Sequence, residues 1–379
     1  MYELDPHDFS SVRALFQPLS AFQPFCASAL AGVHAGRVLV DDPRQPRSGL
    51  LVTRQTWCYL AGAPGNLPFE RALNQAIFER RAIAENTGSL IFTCHPPEWA
   101  DHLWKIFAPR QPIAMPRHHY SCRAADCDMQ AITQRAKLPT GFELQRLEPA
   151  LLDQGDLQLP APVRETLETW AERAHAQFRD FGFAAVREGE IVAWATVDSV
   201  TAGMGDIGFE TQGAYRGRGL ATGLAATAIC HGLSSGLDEI HWTCAESNLG
   251  SMRIAEKVGM QRRGDYTAYL LIFDEVQGLA QQAYLDLQAG RYQAALAIYP
   301  RIFALRQDLP AWMHLDMGRA WAGLGEADKA LAALNRAVEA GWEDVDEMRQ
   351  SGEFQALQNL PGWEQVLARC AARRAGAFL

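Results

Sequence analysis

Residues 207–221 read Ile207-Gly208-Phe209-Glu210-Thr211-Gln212-Gly213-Ala214-Tyr215-Arg216-Gly217-Arg218-Gly219-Leu220-Ala221. An extended segment passes through a basic, glycine-rich turn into helix formers up to residue 233, an order that predicts strand, turn and helix. Gly217 and Gly219 carry no Cβ, so a ligand can approach the backbone where the helix begins. Arg216 and Arg218 add positive charge at the same place. The stretch therefore predicts a site for a phosphate or pyrophosphate.

Glycine-rich turns with flanking arginines also occur as ordinary connections, so the turn alone does not identify the site. The spacing of its residues is more informative. It fits neither GxGxxG nor GxxxxGK[ST], so dinucleotide-binding and P-loop interpretations lose their main support. Arg216-x-x-Gly219-x-Ala221 instead resembles the acyl-CoA pyrophosphate loop of the GNAT superfamily of N-acetyltransferases. The elements that follow also resemble the family in their order, with a strand, a helix opened by Asn and a closing Gly. These are residues 239–244, Asn248 with Ser251, and Val258-Gly259-Met260.

The resemblance implies where a cofactor lies. In the family the strand before the loop splays from its neighbour, and its exposed backbone pairs with the pantetheine of acetyl-CoA, the acyl donor. This assigns backbone contacts to the strand, phosphate contacts to the loop and further contacts to the next helix. The implied cofactor-binding residues are Phe209, Thr211, Arg216, Gly217, Arg218, Gly219, Leu220, Ala221, Asn248 and Ser251. For the last two, helix capping is the competing interpretation.

The chemistry implied by the resemblance is direct transfer, in which an amine attacks the thioester and a base removes the extra proton. Asp206 and Glu210 are the carboxylates on the strand before the loop, and their even spacing places them on one face of a regular strand. Asp206 falls where the family often carries its glutamate base, so these two are the predicted catalytic residues. His241 as base and Cys244 as an acyl-carrying nucleophile are the weaker alternatives.

The sequence departs from the family at the general acid. The helix after the fifth strand commonly carries a Tyr four residues before its closing Gly, where it can protonate the leaving thiolate. Ala255 holds that position here and has no proton to donate. A CoA thiol can leave as a thiolate near neutral pH, so activity is still expected, with Ser251 or Tyr266 as alternative donors.

Length and charge bound the function. A chain of 379 residues is long enough for two or three domains. Lys and Arg number 35 against 44 Asp and Glu, and the net charge of -9 gives no reason to expect nucleic acid as a partner. Residues 1–5 show neither the basic nor the apolar region of a signal peptide, and no apolar run approaches the ~20 residues of a membrane span. We therefore expect a cytoplasmic protein without membrane attachment.

We predict that the α/β part of the chain consists of two halves, residues 1–137 and 138–274. The boundary is placed at Leu138-Pro139-Thr140-Gly141, where Pro and Gly interrupt two patterned regions. The first half has the strand and helix order of a GNAT core. It lacks a phosphate loop, because His95-Pro96-Pro97-Glu98 occupies the corresponding connection and proline removes N–H donors. We expect a degenerate or unrelated half without a cofactor site, followed by an active half whose mixed sheet is flanked by helices.

The eight cysteines lack the spacing of a disulfide framework, so reduced thiols are expected in a cytosolic protein. His118 and His119 precede Cys122 and Cys127, and nitrogen and sulfur ligands suit zinc. Neighbours on a strand point to opposite faces, however, and no second ligand pair has the usual spacing. No metal site is predicted.

Residues 275–379 are rich in Ala and Leu and contain two units that repeat with a spacing of 35. The matches are Leu287 with Ala322, Gly290 with Gly325, and Ala295-Leu296 with Ala330-Leu331. The second unit resembles a tetratricopeptide repeat, in which small residues let paired helices pack closely. A protein partner, self-association and a purely stabilising role all fit such a helical domain.

Two functions of different class fit these features. The first is an acetyl-CoA-dependent N-acetyltransferase that acts on a small-molecule or protein amine, favoured by Asp206, Glu210 and the intact loop. The second is a non-catalytic protein that senses acyl-CoA in the same cleft and works through its helical repeats, favoured by Ala255. The net acidity suits a cationic amine acceptor, whose identity the sequence does not give.

Overall fold

Two compact units make up the chain, Met1–Leu271 and Ile272–Leu379. The computed structural model describes residues 1–53, 56–79, 83, 87–173 and 179–374. Within these ranges the first unit is an α/β structure with a mixed sheet, and the second is helical. No helix in the described ranges combines the length and the apolar character needed to cross a membrane. The predicted fold class, a mixed sheet with flanking helices followed by an all-α region, is confirmed.

A single sheet of twelve strands runs through the described part of the first unit. The strands are β1 (Tyr2–Glu3), β2 (Gly36–Val40), β3 (Ser48–Thr53), β4 (Trp57–Gly62), β5 (Ser89–His95), β6 (Ile113–Arg123), β7 (Glu143–Leu147), β8 (Phe181–Arg187), β9 (Glu190–Thr201), β10 (Met204–Thr211), β11 (Glu239–Ala245) and β12 (Gln261–Ile272). Their order across the sheet is β1-β2-β3-β4-β5-β12-β6-β11-β10-β9-β8-β7. The sheet is mixed, because β4 with β5 and β10 with β11 run parallel whereas pairs such as β9 with β10 run antiparallel.

In the middle of the sheet, strands from the beginning and from the end of the α/β part of the chain lie side by side. β6 comes early in the chain, yet it pairs antiparallel with β11 and places Cys122 opposite Ile240. β12 comes last, pairs antiparallel with β6 with Tyr266 opposite Arg117, and adjoins β5 on its other edge. The amino-terminal part of the chain therefore contributes a strand directly beside β11. The division predicted at residue 138 stays a prediction, since one sheet runs through both halves.

Helices cover the faces of this sheet, and one of them fixes the glycine-rich turn. In the described residues they are α1 (Arg13–Ser20), α2 (Pro24–Leu30), α3 (Leu67–Phe78), α4 (Ala100–Ile106), α5 (Met129–Arg135), α6 (Ala161–Glu172), α7 (Leu220–Ser234) and α8 (Leu249–Lys257). Leu224 and Ile229 of α7 are fully buried in one cluster with Ile240 and Trp242 of β11. Because this apolar contact anchors α7 on the sheet, the turn that precedes it is held at the end of β10.

Most predicted strands and helices are present near their predicted positions, and the differences have local causes. The sequence predicts one helix from Pro68 to about Asn86 and another from Pro162 through Phe178. In the structure they end at Phe78 and Glu172, while 80–82, 84–86 and 174–178 lie outside the described residues. The sequence pattern does not predict α1, α2 or β12. The two helices have eight and seven residues, too short for a clear helical period, and β12 begins with the polar run Gln-Arg-Arg-Gly-Asp.

The helical unit repeats a pair of helices. Its described helices are α9 (Glu275–Gln288), α10 (Tyr292–Leu305), α11 (Ala311–Gly323), α12 (Ala327–Glu339), α13 (Val345–Gln350) and α14 (Pro361–Arg374). Gly290 and Gly325 follow α9 and α11 with φ of 71° and 77°, the left-handed backbone typical of a residue that ends a helix. Ala295 and Ala330 are both buried. The spacing of 35 thus corresponds to equivalent positions in two helix pairs, and their assignment as tetratricopeptide repeats stays a prediction.

Candidate active site

β10 and β11 form a fork in the sheet. Their parallel pairing joins Met204 to Glu239 and ends where Asp206 lies opposite His241. β10 continues to Thr211 and β11 to residue 245, and no pairing joins these two continuations in the described structure. The peptide groups that face into the fork are therefore free to bind a ligand. Asp206 stands at the vertex.

A cleft of about 800 Å³ passes through the fork and reaches the glycine-rich turn. Phe209 points to the face that carries α7 and α8, while Gly208 and Glu210 point to the other face, so a ligand in the cleft can be approached from both sides. Arg218 and Asp206 are the predicted site residues that do not line the cleft wall. The predicted residues that line it are Phe209, Glu210, Thr211, Arg216, Gly217, Gly219, Leu220, Ala221, Asn248 and Ser251.

The glycine-rich turn has the backbone of an anion site. Gly217 and Gly219 have φ of 75° and 85°, a left-handed conformation that residues with a Cβ rarely adopt. A Cβ added at either glycine would meet no atom within 4 Å, so the space beside this backbone is open. The first hydrogen bond of α7 runs from Gly223 N to Gly219 O at 3.1 Å. The N–H groups of residues 220–222 consequently remain available for an anion.

The two arginines of the turn are placed differently. Arg216 lines the cleft, and its Nε donates to the carbonyl oxygen of Thr211 at 3.2 Å. Arg218 turns away, with its guanidinium over the Tyr215 ring at 5.4 Å from the centroid and an Nη2 bond to the Ala214 carbonyl at 3.3 Å. Arg216 can thus contact a bound anion directly, whereas Arg218 contributes charge from outside the cleft.

The start of α8 closes the cleft on its second side. Asn248 Oδ1 accepts from Ser251 N at 3.0 Å, which is an N-cap, and Ser251 Oγ accepts from Trp242 Nε1 at 3.0 Å. Both polar residues line the cleft as well. The capping interpretation and the predicted cofactor role are therefore compatible. The Trp242 ring in turn lies 4.6 Å from the Phe209 ring across the fork.

Asp206 forms a cross-strand pair with Asp198 of β9. Burial raises the pKa of Asp206 to about 7, the charge of Asp198 adds to the rise, and Arg117 opposes it. The pKa of Asp198 is raised to about 7 by burial and by Asp180, while the hydrogen bond from Thr196 Oγ1 at 2.7 Å acts against the rise. The Oδ1 atom of Asp206 is buried and has no partner in the described residues. Such a pair can accept a proton near neutral pH.

The other candidates for proton transfer have different surroundings. Glu210 is exposed on the rim of the cleft, where it can contact an incoming acceptor. The imidazole of His241 forms a hydrogen bond with His119 of β6, with 2.9 Å between Nδ1 of His241 and Nε2 of His119. Burial lowers the pKa of His241. Burial raises the pKa of the Cys244 thiol, which disfavours the thiolate that a nucleophile needs. Ala255 is fully buried in the core and supplies no donor.

Two residues near the vertex are not predicted from the sequence, Asp198 and Arg117. The two-residue turn Ala202-Gly203, with φ of 47° and 77°, pairs Met204 with Thr201 and would by itself set Ser199 opposite Asp206. A register shift between Met204 and Asp206 brings Asp198 there instead, and the sequence carries no clear signal for that shift. Arg117 lines the cleft but has no local signal. It stands on β6, a strand that precedes β10 by some eighty residues of chain and reaches the fork only through its pairing with β11.

Comparison with known proteins assigns this fold and fork to a family. Residues 15–269, more than half of the chain, match the family described as GNAT acetyltransferase. The chain belongs to the GNAT acetyltransferase family. Proteins of this family use acetyl-CoA and act on amine acceptors. The family match ends before the helical unit begins.

Individual proteins are also similar to this chain. The uncharacterized N-acetyltransferase YdfB of Bacillus subtilis (strain 168) is 24% identical over 271 residues, which are 71% of this chain and 98% of YdfB. A GCN5-related N-acetyltransferase-like protein from Streptococcus suis 89/1591 has a TM-score of 0.54 at 22% identity, with 69% of this chain and 98% of that chain covered. A GCN5-related N-acetyltransferase from Sphaerobacter thermophilus has a TM-score of 0.48 at 16% identity, covering 71% and 94%. The structural likeness at these identities concerns the fold.

The GNAT cleft of this chain fits the acyl donor of its family. Thr211 Oγ1 lies buried in the cleft wall without a hydrogen-bond partner in the described structure. An unpaired buried hydroxyl is unfavourable, and a ligand that carries amide and carbonyl groups, as pantetheine does, would satisfy it. The open backbone at Gly217 and Gly219 suits the pyrophosphate at the other end.

The cysteines and histidines of β6 do not form a cluster with metal-site geometry. Within the described ranges, no group of three or more His, Cys, Asp or Glu side chains could hold a metal ion. Cys122 and Cys127 are paired as a disulfide, so the expectation of reduced thiols is wrong for these two. Cys122 turns into the core with Tyr120, on the opposite face from His119.

Asp206 is expected to make folding stability depend on pH. Its pKa is about 7 in the folded protein and ~3.9 in an unfolded chain, so the folded state holds the extra proton between these values. The contribution to stability is complete below the unfolded pKa and is lost as the pH rises through 7. Asp206→Asn should therefore raise the free energy of unfolding by about 1–2 kcal/mol at pH 8 and change it little near pH 4. Urea unfolding of both proteins at the two pH values measures this, and an equal difference at both would contradict it.

Proposed function

We propose that this protein transfers the acetyl group of acetyl-CoA to an amine by direct attack on the thioester, with Asp206 as the base. The observation that carries the proposal is the position of Asp206 at the vertex of the fork, while the anion-binding turn lies at the end of the same cleft. The turn lines the cleft, and Asp206 directly precedes Ile207, the first residue of β10 that lines it, so the nucleotide end and the reacting end of one ligand would have separate places.

The residues that would hold acetyl-CoA are those that line the cleft. Arg216 and the N–H groups of residues 220–222 suit the pyrophosphate, and the free peptide groups beside Phe209 and the hydroxyl of Thr211 suit pantetheine. When bound, acetyl-CoA supplies an acetyl group already activated as a thioester. The chain's own residues are left with orienting the amine and removing its proton.

Asp206 accepts the proton that the amine loses as the new N–C bond forms and the C–S bond breaks. The sulfur leaves as a thiolate, which needs no donor at the position of Ala255 because the thiol ionises near neutral pH. A base with a pKa of about 7 is well matched to this proton, since about half of the molecules carry the ionised form at neutral pH and that form binds a proton well. Asp198 supports the role of Asp206 as a base, because its carboxyl group lies on the neighbouring strand and raises the pKa of Asp206.

A non-catalytic acyl-CoA sensor is the second candidate, favoured by the burial of Ala255 where a donor would stand. One preparation of the full chain distinguishes the two functions. We expect calorimetric titration with acetyl-CoA to show binding, and mass spectrometry of a mixture with acetyl-CoA and a pool of amines to show acetylated product. Binding without transfer to any amine of the pool would favour the sensor. No binding by folded protein would contradict both.

A further inference from the structure

Arg117 is a half-buried arginine whose charge has no acidic partner in the described structure. Its Nε donates to Tyr266 Oη at 3.0 Å and its Nη2 donates to Thr243 Oγ1 at 3.2 Å. The guanidinium lies over the Trp57 ring, 5.4 Å from the centroid. These contacts use two of the five N–H groups of the guanidinium and hold its plane in one orientation. Arg117 also lines the cleft.

A fixed guanidinium with unused donors in a ligand cleft is suited to bind an anion of the ligand. The phosphate groups of the acyl donor already have a site at Gly217 and Gly219, at the end of the fork. The backbone of Arg117 pairs with Ala245 at the end of β11, and its side chain reaches back towards the vertex to Thr243, two residues beyond His241. An anion bound there would therefore belong to a group that sits beside the reacting centre.

Spacing and charge indicate what that group is. Thr243, which the Arg117 guanidinium contacts, is two strand residues, or ~6.6 Å, along β11 from His241, the cross-strand partner of Asp206. The guanidinium therefore reaches towards the end of the fork where Asp206 lies. The two side chains are opposite in charge, and Arg117 acts against the rise in the pKa of Asp206. They can thus contact an amine and a carboxylate on one small molecule.

We propose that the acceptor is a free amino acid, whose carboxylate binds Arg117 while its amine faces Asp206. The inference rests on the proposed acetyl transfer and gives it a substrate class. Arg117 on β6 and Trp57 on β4 both come from the amino-terminal half of the chain. That half, which has no phosphate-loop motif of its own, thereby supplies the specificity of the site.

The test compares acceptors that differ only in the anion. Wild-type protein is incubated with acetyl-CoA and either free proteinogenic amino acids or the matching amino acid amides, and thiol release and acetylated product are measured. We expect the best free amino acid to have a KM about 10- to 100-fold lower than its amide, the usual effect of one charge-assisted pair. Arg117→Ala should raise the KM for the free amino acid by the same factor and leave the KM for the amide and for acetyl-CoA near their wild-type values.

Three controls keep the result specific to the anion contact. All rates are measured well above pH 7, so that the loss of the Arg117 charge beside Asp206 does not alter the ionisation of the base. Arg117→Lys keeps the positive charge and the aliphatic part of the side chain, so it should recover some of the selectivity. The recovery should be incomplete, because lysine lacks the planar donor geometry of a guanidinium. Arg37→Ala removes an exposed arginine that pairs with Glu3 on β1 and should behave as wild type.

The outcomes separate this inference from the proposed function. Equal KM values for acids and amides in wild type, or an Arg117→Ala effect confined to acetyl-CoA, would overturn the amino acid assignment while acetyl transfer stands. If no acceptor is acetylated, binding decides: wild-type protein saturated with CoA should still bind a free amino acid in calorimetry or through Trp57 fluorescence, and Arg117→Ala should not. Absence of that binding in wild type would overturn the inference.

Discussion

Replacing Asp206 with Asn is expected to lower kcat for acetyl transfer by about 10²- to 10⁴-fold, the usual contribution of a positioned general base. The amide has nearly the same shape but accepts no proton, and the attacking amine then loses its proton only to solvent. Acetyl-CoA affinity should stay near the wild-type value, because Asp206 stands at the vertex and does not line the cleft wall. Steady-state kinetics, with calorimetric titration of acetyl-CoA, measures both quantities.

Asp198→Asn is the matched variant for this experiment. In wild type, kcat/KM should rise with pH through an apparent pKa of about 7, as Asp206 loses its proton. Asp198 raises the pKa of Asp206, so its replacement should move that rise to lower pH while the plateau rate falls by less than about 10-fold. Full turnover in Asp206→Asn would contradict the assignment of the base. In that case Glu210→Gln becomes the next variant, because Glu210 lies on the same face at the rim.

Replacing Gly219 with Asp is expected to weaken acetyl-CoA binding by about 100-fold or more. The residue has a φ of 85°, which a side chain strains, and a carboxylate there would repel the pyrophosphate and compete for the N–H groups of residues 220–222. Loss of one charge-assisted contact alone accounts for ten- to a hundred-fold in affinity, and the added repulsion increases it. Calorimetric titration with acetyl-CoA gives the affinity directly.

Gly236→Asp separates the loss of the anion site from backbone strain. Gly236 has a φ of 96° and, like Gly219, open space around an added Cβ, but it follows the other end of α7 and does not line the fork cleft. The two variants introduce the same side chain at similarly strained positions. We expect a comparable loss of stability in urea unfolding and a loss of acetyl-CoA affinity only in Gly219→Asp. Equal affinity in both would contradict the assignment of the phosphate loop.

The strand, glycine-rich turn and helix could be predicted because their determinants are local. A strand, two glycines with no Cβ and a helix N-terminus lie within fifteen consecutive residues, and the conformation that they adopt depends mainly on each other. The same holds for most strands, whose β-branched and aromatic residues alternate between glycines and prolines. The fold class and the family followed from such local patterns. The sequence also placed Asp206 and Glu210 on one face, because a strand has a period of two.

The composition of the vertex was decided by strand register and strand order. Asp198 meets Asp206 through the register of a hairpin, and Arg117 reaches the fork because β6 is inserted between β11 and β12. Periodicity reports which face a residue occupies on its own strand, but it carries no information about which strand lies beside it. The sequence by itself therefore determined the glycine-rich turn, the face of β10 that carries the proposed base, and the family. The tertiary structure alone decided which charges surround that base, because strand order is set by packing across the whole sheet.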